Sequence, residues 1–147
     1  MATYYGKGSK DLIMSKIASL ILAINGVKYV DYQRSYDSSI SPEKFPGAFV
    51  NDVTENKQQI LKDVVKNNFT IGVVGWVRAT TVSGSMESTW TKLDTFIRAV
   101  EAAIRADPGL NSQVYKTEIT RVETDSGTRY PVGLFVMIIS VVYFSSY

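Results

Sequence analysis

The chain of 147 residues contains no cysteine and no histidine. Without cysteine there is no disulfide stapling, no thiol nucleophile and no thiolate-held zinc. Without histidine there is no Ser-His or Cys-His catalysis and no imidazole acid–base chemistry. An enzyme built from this sequence would have to use Asp, Glu, Lys or Tyr, or a metal held by oxygens alone. An excess of charge of one sign is also lacking. The 16 basic and 14 acidic residues leave a formal net charge of +2, too little to make nucleic acid the main partner. The longest apolar run, residues 132–144, is shorter than the roughly 20 residues that a bilayer-spanning helix needs, so no membrane association is expected. The opening residues from Met1 to Gly6 lack a charged-then-apolar leader pattern. The chain is therefore expected to stay in the compartment where it is made. The missing cysteines leave the redox compartment undecided, because a domain of this size needs no disulfide.

What is present describes an ordinary globular protein, 45% apolar and 20% charged. The length predicts one domain over residues 10–147, preceded by a flexible N-terminal arm over residues 1–9 whose Tyr4 and Tyr5 could anchor on a neighbour. Ile13, Ile17, Leu20, Ile21 and Ile24 recur at helical spacing, and Gly26 after Asn25 ends that helix. Leu93, Phe96, Ile97, Val100 and Ile104 make the buried stripe of a second helix over residues 88–106. Its outer face pairs Asp94 with Arg98 and Glu101 with Arg105.

Residues 27–36 read as a strand with one wet face, and residues 45–50 as a short extended run that Pro46 confines to a sheet edge or a strand start. Residues 51–68 fit either two helical turns, through Ile60, Leu61, Val64 and Val65, or a hairpin arm; a solvated basic connector is the plainest reading. Residues 69–80 form a strand with Phe69, Ile71, Val73 and Val77 on one face and Thr70, Val74, Trp76 and Arg78 on the other. Gly72 and Gly75 within it point to a bulge or a close backbone approach. Residues 81–85 form a polar loop. Residues 113–124 and 132–144 are two further strands, joined as an antiparallel hairpin by the turn Asp125-Ser126-Gly127. The last strand is apolar on both faces, which places it centrally in the sheet.

The expected fold is therefore α+β: a mixed, mainly antiparallel sheet of four to five strands with two amphipathic helices packed on one face. The other face carries Val74, Trp76 and half of the last strand, and needs a partner.

No motif here amounts to an active site. Gly72-Val73-Val74-Gly75 opens no helix, and a loop before a helix N-terminus, Val82-Ser83-Gly84-Ser85, is ordinary capping. Asp52 and Glu55 could hold a divalent cation, although two carboxylates in a polar stretch are usually solvated. No cofactor is expected.

The helix ending Val100-Glu101-Ala102-Ala103-Ile104-Arg105-Ala106-Asp107-Pro108-Gly109-Leu110, followed by a strand, a turn, a proline and the terminal strand ending Val142-Tyr143-Phe144, resembles the tail terminator proteins of long-tailed bacteriophages. Ile24-Asn25-Gly26-Val27 and Phe45-Pro46-Gly47-Ala48-Phe49-Val50 resemble the first half of that family. The tyrosines of the arm and the 51–68 stretch have no counterpart. The resemblance implies a non-enzymatic virion subunit that forms a six-membered ring, caps the tail tube and joins it to the head. The implied partners are further copies of the chain, the tail tube protein, a head–neck connector and a tail sheath, with DNA passing through the lumen without specific binding. The residues expected at subunit or tube contacts are Thr70, Val74, Trp76, Phe144 and Tyr147. Lys57, Gln58, Gln59 and Lys62 are expected on a loop facing the lumen or a neighbour. Two other readings are a different neck, connector or baseplate component, and a small metal-dependent hydrolase using Asp52 or Glu55.

Overall fold

A computed structural model describes residues 10–34, 36, 40–78, 86–110, 114–125 and 131–146. The N-terminal arm, the 81–85 loop, Tyr147, and Ser126 and Gly127 of the expected turn lie outside the described residues.

Helix α1, Lys10–Leu22, buries Ile13, Met14, Ile17, Ala18 and Ile21, the stripe that its four-residue spacing dictates. Gly26 then takes φ +94°, a left-handed conformation that costs glycine nothing. Helix α2, Met86–Ala106, buries Leu93, Phe96, Ile97, Val100 and Ile104. Its outer face carries the two predicted ion pairs, Asp94 with Arg98 at 2.9 Å and Glu101 with Arg105 at 3.1 Å.

Five strands form one sheet in the order β1-β2-β3-β5-β4: β1 Tyr29–Tyr32, β2 Gly47–Leu61, β3 Val64–Arg78, β4 Lys116–Thr124 and β5 Val132–Ser146. β1 runs parallel to β2 and every other pair is antiparallel. β4 and β5 pair as predicted.

Two expectations are decided here. The first concerns residues 51–68, where the hairpin-arm alternative holds and the helical-turn and connector readings do not. They complete β2 and begin β3, a hairpin of two 15-residue arms that turns at Lys62 and Asp63, with Leu61 opposite Val64. The apparent helical spacing of Ile60, Leu61, Val64 and Val65 comes from apolar strand ends meeting across a tight turn. The second concerns β1, which covers only Tyr29–Tyr32 rather than residues 27–36. β2 opens at Gly47, directly after Pro46, as a residue without a backbone N–H requires.

The alternation along β5 fixes the layers. Phe135, Met137, Ile139 and Val141 are each fully buried beneath the helices, with Tyr143 nearly so, while Leu134, Val136, Ile138, Val142 and Phe144 are only half-buried. Phe69, Ile71, Val73 and Val77 of β3 and Ala48 and Val50 of β2 join the same core. Gly75 is a close approach rather than a bulge: a Cβ there would sit 2.2 Å from the Phe135 ring. The register shifts fall on β2, around Val53 and Ile60, and on β4, around Thr120.

Candidate functional site

The surface of interest is the sheet face away from the helices. In an antiparallel ladder directly opposed residues share a face. Val74 opposite Val136, Gly72 opposite Ile138, Thr70 opposite Ser140 and Asn68 opposite Val142 therefore build one continuous surface. The shift at Val53 adds that side chain to it, 55% exposed and within 3.2 Å of where a Gly72 Cβ would stand. At the end near the β2–β3 turn the surface hollows into a concavity of about 610 Å³, lined by Ile60, Lys66, Tyr115, Glu118, Val142 and Phe144 among others. Tyr115 meets Phe144 edge-on, with ring centroids 5.8 Å apart. The row Lys116, Glu118, Arg121 and Glu123 on β4 borders the apolar strip.

Trp76 belongs to this face by register yet is fully buried. Tyr36, Phe45 and Phe49 pack around its indole, Phe49 at 4.6 Å between centroids, and its N–H donates to the Lys44 carbonyl at 3.0 Å. The chain thus seals this end with its own residues, and Trp76 stands inside the subunit, not on its surface. Sequence reasoning missed the seal because nothing local around Tyr36, Lys44 and Phe45 reveals which strand they pack against.

Of the other predicted site residues, Thr70, Val74 and Phe144 lie half-buried on the open face. Phe144 pairs with Lys66 across β3, so the chain end is already a strand of the sheet on that side. Lys57, Gln58 and Gln59 are exposed on β2, and Lys62 sits at the turn, where its carbonyl accepts from the Gln59 amide. They form the tip of a hairpin rather than a loose loop. Val53 was not anticipated on the open face, since a bulge leaves no mark in the alternation of a polar strand. Tyr115, which alternation groups with Thr117 and Ile119, precedes β4 and turns to Phe144 instead.

Asp52 and Glu55 do come together, but around ammonium groups. Lys10 lies 3.0 Å from Asp52 and 3.7 Å from Glu55, and Lys57 lies 2.6 Å from Glu55. The Tyr143 hydroxyl donates to Glu55 at 3.0 Å, and Lys57 donates to the buried Asn67. Burial works to raise the Glu55 carboxyl, yet hydrogen bonds from Lys57 and Tyr143 and the nearby lysine charges outweigh it and hold the group below its ordinary value. Tyr143 is pushed well up, by burial first and then by donation to Glu55. Neither group is poised to exchange a proton near neutrality, and the lysines occupy the position a cation would need.

Among the described residues no group of three or more His, Asp or Glu side chains is placed to hold a metal, and no helix is long and apolar enough to cross a membrane. A further concavity of about 460 Å³ lies between the helices and the sheet, lined by Ile24, Val27, Pro46, Val77, Phe96 and neighbours, with no carboxylate in its wall.

No family model and no curated protein matches the sequence. Among solved structures, a chain from the virion of a native gene transfer agent particle is similar to this one with a TM-score of 0.47 and 8% identity, over 91% of this chain and 98% of that one.

Proposed function

We propose that this protein is a structural subunit of a phage-type virion, a terminator-like protein that assembles with copies of itself into a six-membered ring on the tail tube. One observation carries the reading: the apolar strip of Val53, Val74, Leu134, Val136, Ile138 and Val142, on the sheet face away from the helices, with Val53 exposed and the others half-buried. An exposed apolar face on a well-packed sheet is the usual mark of a protein contact. The short motifs around Gly26, Pro46 and Asp107 that resemble tail terminators support the finer role. So does the near-neutral charge, because strong phosphate contacts would slow DNA in a channel. Chemistry is absent from the proposal. The carboxylates that could have supported it are bound to lysines.

The test is reconstitution on purified tail tubes, viewed by electron microscopy. The proposal expects ring-shaped caps at tube ends, and their loss in Ile138→Asp, which places an unpaired charge in the strip. A wild-type protein that stays monomeric and leaves tubes bare and still elongating would overturn it. A defect in tube initiation instead of tube length would reassign the protein to the baseplate.

A further inference from the structure

The free edge of β4 carries information that the open face does not. β4 is the last strand of the sheet, so its outer row of backbone N–H and C=O groups has no ladder partner within the described residues. Along it the charges alternate: Lys116, Glu118, Arg121 and Glu123 all stand on the open-face side, opposite Val142, Ser140, Ile138 and Val136 respectively. The shift at Thr120 keeps the four on one side despite their uneven spacing in sequence. Thr117, Ile119 and Val122 occupy the helix side, and Val122 is 37% exposed. Among the described residues these charges pair with each other, Lys116 with Glu118 at 3.6 Å and Arg121 with Glu123.

A row reading plus, minus, plus, minus is its own complement when reversed. We propose that β4 pairs antiparallel with β4 of a second copy across a two-fold axis, joining two sheets into one of ten strands. The register is determined. With Lys116 opposite Glu123 and Glu118 opposite Arg121, every charge meets its opposite on the open-face side, and Thr117 meets Val122 on the helix side. Sliding by one residue opposes open-face to helix-face side chains. Sliding by two brings Lys116 to Arg121, or Glu118 to Glu123. On the helix side the chosen register lays Val122 of the second copy against Thr117, beside a groove of about 250 Å³ lined by Ile104, Pro108, Thr117 and Ile119. Charged and bulged edges are also a way to discourage pairing, but like-signed rows do that, and this row is not like-signed.

This contact does not depend on the ring. Neighbouring subunits of a single cyclic ring are not related by a two-fold axis, so the pair is a form of the free protein that assembly on a tube must exchange.

Sedimentation equilibrium over a concentration series tests it with three proteins, each checked for wild-type circular dichroism. Wild type is expected to dimerise, more weakly as salt rises. E118K/E123K, with an all-positive edge, and K116E/R121E, with an all-negative one, are each expected to self-associate more weakly, with Kd raised on the order of a hundredfold. A one-to-one mixture of the two is expected to recover dimers. A monomeric wild type, variants that dimerise as wild type does, or folded variants that fail to pair in the mixture would each overturn the proposal. Ring formation on tubes is read separately, so the failure of one leaves the other standing.

Discussion

The two faces of β5 are made of nearly the same chemistry and meet opposite fates. Phe135, Met137 and Ile139 are sealed under the helices, while Leu134, Val136 and Ile138, their immediate neighbours, stand half in water. Apolar composition alone therefore does not say what a residue does here; the face does. The covered side supplies stability, because burial of such side chains contributes roughly 1.5–3 kcal/mol each. The uncovered side withholds that contribution until a partner arrives.

The largest expected effect that sharpens this contrast is Phe135→Ala, which should cost about 3–5 kcal/mol in denaturant unfolding, whereas Leu134→Ala should cost about 1 kcal/mol or less. Equal costs would erase the distinction between the faces. Gly75→Ala comes next. Its methyl would drive into the Phe135 ring, and the overpacking should cost about 1–3 kcal/mol.

Glu55→Gln probes the polar margin of the covered face and should cost about 1–2 kcal/mol at neutral pH, through weakened bonds to Lys57 and Tyr143. The sign with pH follows from the depressed carboxyl. Its contribution is complete above the ordinary value of 4.5 and is lost as pH falls through the lower folded value. The variant should therefore lose less stability than wild type on acidification below about pH 4.5. The smallest effect on folding is expected from paired Val136→Ser and Ile138→Ser changes, within about 1 kcal/mol, together with loss of higher assemblies in light scattering.

Much of the architecture was legible in the sequence because helix periodicity, helix stops and the β5 run are local signals. Gly26 and the stripe from Ile13 to Ile21 needed no tertiary information. The long β2–β3 hairpin was legible only as one of two alternatives. Its distal residues, from Thr54 to Gln59, are polar on both sides, so no alternation marks them as strand, and Leu61 and Val64 imitate a helical turn across Lys62 and Asp63. The open face was half legible. Its existence followed from counting two helices against a broad sheet, while the withdrawal of Trp76 from it depended on Tyr36, Lys44 and Phe45 packing across one end. Asp52 and Glu55 were correctly seen as neighbours, but their partner Lys10 comes from 42 residues away and no spacing rule could supply it.

The hairpin also has a mechanical meaning. β3 is flanked by β2 and β5 along its whole length, whereas β2 loses its β1 neighbour after Val50. The sheet is thus a cantilever, anchored at the Trp76 end and unsupported at Lys62. Lys10 ties the first residue of α1 to the beam at Asp52. Force applied at the tip would be felt at the start of that helix before it reached the anchored end.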